Sequence, residues 1–357
     1  MKRIVIDKIA SVTRNCQLQR DVRVSREFPC QEGDVIAVRV LSRKSTYNQL
    51  ELVTGRFCEL KPGDVVGGAL GHRRALCGYA GHIPESLEQG ALVHLLNLGG
   101  VIGLCDSYNQ NVGAPFECEV LGQVLHFPFL AERIGVPASI RHDALPLSED
   151  LVCSTPVVVV VGTCMNSGKT RACNSLIQEL VHRGLRVSAA KCTGVSLRRD
   201  IHEMEDSGAS RTLIFTDFGV VTTSRHNSAR LTRSMLTQLS KGSPDLIVLE
   251  LGDGLLGDYG VDAILEDETI RRCFRAVVLA ANDPVGAWGG LELLKNRYGL
   301  RPDVVTGPAT DNAAGTDLLE RGMNVAAINA RVSAPELAER VLKNLQAPVA
   351  REASLHG

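Results

Sequence analysis

The stretch Val157-Val158-Val159-Val160-Val161-Gly162-Thr163-Cys164-Met165-Asn166-Ser167-Gly168-Lys169-Thr170 decides how this chain is read. Five consecutive valines suit a strand buried on both faces of a parallel sheet, where β-branched side chains pack well and neither face meets water. A glycine-bounded loop follows. Then Lys169 to Arg183 sets Ala172, Leu176, Ile177 and Leu180 on one helical face, with Gly184 as the stop. Strand, loop and helix in that order leave free backbone N–H groups at a helix start, where they hold phosphate oxygens. The candidate triphosphate-binding residues are therefore Gly162, Thr163, Cys164, Met165, Asn166, Ser167, Gly168, Lys169, Thr170 and Arg171. Lys169 is expected to reach the β- and γ-phosphates, and Thr170 to ligate Mg²⁺. The common form of this loop has four residues between its glycines; five separate Gly162 from Gly168 here.

Working outward, strand patterns recur at Leu185–Ala190, Leu246–Leu251, Ala276–Ala281, Val304–Val305 and Val325–Ile328, with helical segments between them. Ser333-Ala334-Pro335-Glu336 reads as a capping box opening a last helix that runs to about Leu345. Alternating strands and helices imply a P-loop α/β fold with a mostly parallel sheet flanked by helices. Upstream the grammar differs. Asp34–Leu41 and Asp64–Gly71 are apolar runs that follow the turn signals Glu32-Gly33-Asp34 and Lys61-Pro62-Gly63-Asp64. Leu96–Gly103 and Cys118–Leu125 continue the style, which suits a β-rich, barrel-like amino-terminal domain. The expected divisions are a β-rich domain over 1–147, a linker over 148–156, a nucleotide-binding α/β domain over 157–345 and a flexible tail over 346–357.

Composition narrows the classes. With 39 basic and 40 acidic residues the net charge is -1, which offers no global attraction to nucleic acid or a membrane surface. Aromatics at 4% are too sparse for base-stacking platforms. Eleven scattered cysteines show no zinc-ligand spacing, and the expectation is reduced thiols in a cytoplasmic protein. No apolar run reaches the ~20 residues of a membrane span, and Met1–Ala10 lacks the apolar core of a signal peptide.

Gly162-Thr163-x-x-x-x-Gly168-Lys169-Thr170 resembles the loop of dethiobiotin synthetase and its relatives, the cobyrinic acid amide synthases and the molybdopterin-guanine-dinucleotide adaptor proteins. The resemblance spans residues 156–330 and further residues carry it. Lys191 lies 22 residues after Lys169, at the end of Val187-Ser188-Ala189-Ala190-Lys191. The resemblance implies that it contacts the γ-phosphate and the reacting substrate group. Asp200, eight residues before Gly208-Ala209, resembles an adaptor aspartate of the metal region, with Glu203, Glu205 and Asp206 as competitors. Asp245-Leu246-Ile247-Val248-Leu249-Glu250 is an apolar strand that carries an acid towards a metal. Its Glu250, Gly252 and Gly254 resemble the Glu-Gly-x-Gly-Gly of dethiobiotin synthetase, with Leu251 in place of the first glycine. Asn166 stands where dethiobiotin synthetase has an acidic residue. Asn282 is placed where related enzymes read the nucleobase, and the sequence leaves ATP, the favoured nucleotide, and GTP both open.

Other features have no such anchor. The hydroxyl-rich Thr216–Gly219 and Thr222–Arg225 segments, with Arg225 as cation, offer a place for a substrate carboxylate. His72, Arg73, Arg74 and His82 read as a solvated basic hairpin, or as a site for an acidic substrate or the neighbouring subunit. The expected activity is Mg²⁺- and ATP-dependent activation of a carboxylate or carbamate for attack by a nucleophile, with Lys169 and Lys191 catalytic and Thr170, Asp200 and Glu250 at the metal. The alternative is a nucleotide-switch accessory protein for cofactor assembly. A small carboxylate or amine substrate is the expected partner, and the resemblance implies a homodimer or higher homo-oligomer.

Overall fold

The structure, a computed structural model, describes residues 1–128 and 134–346. Its amino-terminal part is built on the two expected turns. In each, a glycine takes a left-handed φ, +86° at Gly33 and +95° at Gly63. The following aspartate then accepts a backbone N–H three residues back, Gln31 N at 2.9 Å for Asp34 and Lys61 N at 2.6 Å for Asp64. These turns launch Val35–Val40 and Val65–Leu70, which pair antiparallel. Val35–Val40 also pairs with Phe116–His126, which pairs with Leu92–Leu95. Leu92–Leu95 pairs with Val101–Tyr108, and that strand runs parallel to Val65–Leu70. The pairing therefore closes on itself into a five-stranded barrel, which removes exposed strand edges. Ile36, Val38, Val66, Val93, Val101 and Val120 fill its core. The run expected as one strand over Leu96–Gly103 is broken. Gly100 takes φ +86°, and Asn97 Oδ1 accepts Val101 N at 3.0 Å, so a tight turn separates two strands there.

The second part is a six-stranded, wholly parallel sheet in the order Arg211–Ile214, Val187–Lys191, Leu246–Glu250, Val157–Gly162, Phe274–Ala280, Val304–Thr306. All five valines are fully buried. Helix Lys169–His182 buries the predicted Ala172, Leu176, Ile177 and Leu180. Two expectations need correction. Val325–Ile328 makes a single bridge, Ala327 to Val305, rather than a strand. Arg211–Ile214, half polar and at the sheet edge, is a strand that apolar patterning misses. The last helix is Ala334–Gln346; 347–357 of the expected tail lie outside the described residues. Among the described residues no helix is long and apolar enough to cross a membrane.

The barrel rests on the sheet's ligand-side loops. Val221 sits in the barrel core. Asn97 Nδ2 donates to Ser196 O at 2.7 Å, Asn15 Nδ2 to Thr216 O at 2.8 Å, and Arg198 N to Glu51 Oε2 at 2.8 Å. The segment expected as a linker runs beside helix Ser228–Ser240, with Ser148 N on Ser234 Oγ and Val152 N on Thr237 Oγ1.

Candidate functional site

The valine strand lies between the Leu246–Glu250 and Phe274–Ala280 strands. The chain therefore leaves the central strand towards one side of the sheet and later returns to the other, which opens a ligand crevice at the strands' carboxyl ends. The loop after the strand is held in a cradle. Asn166 takes φ +60° and Gly168 φ +95°. Two neighbouring segments press on the loop where only glycine fits. A Cβ on Gly254 would lie 2.8 Å from Cys164 Cα, and one on Gly307 would lie 2.2 Å from the Ser167 carbonyl oxygen.

Lys169 is 6% exposed and its ammonium donates to the carbonyls of Cys164, at 2.8 Å, and Asp253. Burial pulls its pKa below the ordinary lysine value, against the opposing charge of Glu250. Thr170 Oγ1 donates to Glu250 Oε1 at 3.1 Å. Glu250 Oε2 is buried without a hydrogen-bond partner. Burial, then the Asp200 charge, push the Glu250 carboxyl up, while Lys191, Lys169 and the Thr170 hydroxyl act the other way. Lys191 forms a buried ion pair with Asp200. Burial pulls the Lys191 ammonium down, and the Asp200 and Glu250 carboxylates outweigh it, so its pKa is raised. Burial pushes the Asp200 carboxyl up, and the charge and hydrogen bond of Lys191 outweigh that, so its pKa is lowered.

These groups line one cavity of about 600 Å³. Met165, Asn166, Ser167, Gly168, Lys169, Thr170 and Arg171 form its loop side; Lys191, Asp200, Glu250 and Asp253 form its acidic and cationic wall; Tyr47, Arg73, Leu98 and Val112 close it from the barrel. The structure thus brings together Met165 to Arg171 of the loop, both lysines, Asp200 and Glu250, while Gly162, Thr163 and Cys164 do not line the cavity. Asp200 arrives chiefly as the partner of Lys191, leaving Oδ1 without a hydrogen bond. Asn282 is half-buried and donates to Cys164 Sγ at 2.9 Å; it braces the loop and is not part of the cavity wall. Among the described residues no group of three or more His, Cys, Asp or Glu side chains could hold a metal. A Mg²⁺ ion nevertheless fits beside Thr170 and Glu250, because both supply hard oxygen donors, one Glu250 oxygen is unpartnered, and Mg²⁺ takes its remaining ligands from phosphate and water.

Outside the loop the structure departs from expectation at two residues, while His72, Arg74 and His82 are exposed as a solvated hairpin requires. Arg225 is committed to Asp262 and Glu266, and Asp217 to Arg198, so the hydroxyl-rich segment presents no free cation for a carboxylate. Arg73 is no solvated hairpin residue: it is 6% exposed and reaches into the cavity. Asp253, 8% exposed at φ +67°, is a cavity residue that the sequence reading passed over. Its position in Glu250-Leu251-Gly252-Asp253-Gly254, just past an acid-bearing strand, is the one signal that could have found it.

The fold and the loop define a P-loop NTPase-type α/β unit carrying a β-barrel over its ligand crevice. No family model matches the chain, and neither does any curated protein. Among solved structures it is similar to the signal recognition particle receptor FtsY from Elizabethkingia anophelis, at 13% identity and TM-score 0.37, over 53% of this chain and 66% of that one. It is also similar to a DUF1611 family protein from Anabaena variabilis, at 13% identity and TM-score 0.38, over 57% of this chain and 63% of that one. A third likeness is to the signal recognition particle 54 kDa protein from Aeropyrum pernix K1 in complex with GDP, at 17% identity and TM-score 0.35, over 55% and 49% of the two chains. The matches thus span less than two thirds of those proteins' length.

Proposed function

We propose that this protein binds a nucleoside triphosphate with Mg²⁺ and uses it to activate a small carboxylate or carbamate. The observation that carries the reading is the Thr170–Glu250 contact at the helix start, with the Lys191–Asp200 pair in the same cavity. The loop N–H groups and the helix start bind the phosphates. Lys169, now resting on two carbonyls, turns to the β- and γ-phosphates when they replace those acceptors. Thr170 and Glu250 hold the metal, Glu250 directly or through water. Bound Mg²⁺ supplies charge neutralisation on the phosphate oxygens. Lys191, kept charged by Asp200, stabilises the phosphoryl group in transfer and orients the acceptor. The acceptor oxygen bonds to the γ-phosphorus, the bond to the β-phosphate oxygen breaks, and nucleoside diphosphate leaves. A nucleophile then attacks the acyl carbon and releases phosphate.

A second reading, a nucleotide-switch accessory protein, draws support from the barrel's grip on the segment after Lys191. Ser196 and Arg198 are both hydrogen-bonded to the barrel, and Val221 lies in its core. A movement at the γ-phosphate would reach the barrel through that segment. Phosphate release with Mg·ATP and Mg·GTP tests both readings and the choice of nucleotide. Stimulation by small amino or carboxy compounds supports activation; stimulation only by a protein partner supports the switch. Unchanged nucleotide affinity in Lys169→Ala would remove the loop from either.

A further inference from the structure

Beside the phosphate cavity lies a second, smaller chamber of about 110 Å³ at the seam between barrel and sheet. The two share Tyr47, Arg73, Met165, Lys191, Leu197 and Asp253, so whatever fills the small chamber lies against Lys191. Beyond Arg73 and Tyr259 it adjoins a larger cavity of about 670 Å³ in the cleft between barrel and sheet.

Apart from Lys191, which is paired with Asp200, the chamber holds one cation and one carboxylate, both more than nine-tenths buried and both incompletely used. Arg73 Nη1 donates to the Tyr47 hydroxyl at 3.0 Å and to the Leu96 carbonyl, while its Nε has no partner. Asp253 has no partner on either carboxylate oxygen. Buried polar groups are almost always hydrogen-bonded, and a buried charge without a partner is costly. Burial accordingly pushes the Asp253 carboxyl above the usual carboxylate range, with Lys169 opposing. An incoming ammonium would supply the hydrogen-bond partner that both carboxylate oxygens lack. The rest of the wall carries apolar groups such as Ala75, Val195 and Leu197 beside Asn97, whose amide is already committed to the Ser196 carbonyl and the Val101 N–H.

We propose that this chamber binds the head group of an amino acid, its carboxylate on Arg73 and its ammonium on Asp253, with the side chain extending into the cleft cavity. Size supports the assignment. A cavity of about 150 Å³ holds a benzene ring, so 110 Å³ suits the five heavy atoms of an α-amino acid head group and little more. A simple acid or a simple amine would satisfy one buried charge and leave the other bare. The assignment rests on the activation reading above, for which it names the acceptor: a zwitterion presented beside Lys191.

The test is equilibrium binding to the full chain, by calorimetry or thermal shift. The twenty protein amino acids are used one at a time, without nucleotide and with Mg²⁺ plus a non-hydrolysable ATP analogue. Each binder is compared with the acid lacking its amine and the amine lacking its carboxylate. At least one amino acid should bind tenfold or more tightly than both of its truncated analogues. In Asp253→Asn the des-amino acid should approach the amino acid to within about threefold, and in Arg73→Lys the preference over the amine should fall. Should either variant fail to fold, the analogue comparison on the unmutated protein decides alone. Binding of no amino acid under either condition, or equal binding of the truncated analogues, would overturn the proposal. A loss of the nucleotide-dependent shift in the unmutated protein strikes the phosphate reading instead, and the nucleotide-free arm keeps the two failures apart.

Discussion

Thr170 and Glu250 are eighty positions apart, yet the threonine hydroxyl donates to the glutamate at 3.1 Å. One residue opens the helix after the phosphate loop, and the other ends the adjacent parallel strand. Thr170→Val removes the donor at nearly constant volume and leaves Glu250 buried with neither oxygen hydrogen-bonded. A buried group stripped of its partner costs about 1–3 kcal/mol, so urea unfolding should show that loss. The same substitution deletes a metal ligand. Nucleotide affinity measured with Mg²⁺ should fall about tenfold or more, whereas affinity measured in EDTA should change little. Equal losses under both conditions would detach Thr170 from the metal.

The Lys191–Asp200 pair is almost sealed from water, with side chains 12% and 7% exposed. Breaking such a pair from one side strands a charge, at about 3–5 kcal/mol. Lys191→Met and Asp200→Leu should each destabilise by that order, while the double variant loses less than the sum of the two. Chemical denaturation of the four proteins reads the coupling. Lys191→Met should also keep nucleotide binding and lose turnover; full turnover in that variant would take Lys191 out of the mechanism.

The sheet was legible because its signals are local: five valines, a glycine-bounded loop and an acid closing an apolar strand each lie within a few residues. The barrel was legible only in style, since its closure depends on Leu92–Leu95 pairing with two strands at once, a non-local fact that periodicity does not encode. Val325–Ile328 looked like a strand because its composition is apolar, but it pairs at one residue only. Arg73 was hidden for a related reason. Within His72-Arg73-Arg74 nothing distinguishes the buried arginine from the exposed one, and only the docking of barrel on sheet decides which is enclosed. Asp253 lacked a signal because its importance comes from what it fails to bond.

Glu51 ties the barrel to the segment leading into Asp200. It is fully buried, and Oε2 accepts both the Ser11 hydroxyl and the Arg198 backbone N–H. Glu51→Ala orphans two donors and should cost about 1–3 kcal/mol. Glu51→Gln keeps an acceptor oxygen in place and should cost less. Because Arg198 adjoins the helix that carries Asp200, Glu51→Ala should also lower turnover while leaving nucleotide affinity within about twofold, since the phosphate loop is untouched. Steady-state turnover and nucleotide titration of the two variants check this, and a parallel fall in both quantities would show that the tie supports the loop as well.

His94 makes the barrel sensitive to acid. Its Nδ1 accepts the Cys105 backbone N–H at 3.1 Å, joining Leu92–Leu95 to Val101–Tyr108 at the seam that closes the ring. That nitrogen must be unprotonated to accept. Burial holds the His94 pKa below the ordinary histidine value, with Glu117 opposing. The folded protein therefore takes up this proton at lower pH than the unfolded chain does. The His94 contribution is fully present above the unfolded value near 6.5 and is lost as pH falls through the depressed folded value. Unfolding free energy measured from pH 7.5 down to 5 should decline in the native protein. Part of that decline should vanish in His94→Gln, whose amide oxygen can still accept the Cys105 N–H but does not titrate. An identical pH slope in the two proteins would place the acid sensitivity elsewhere.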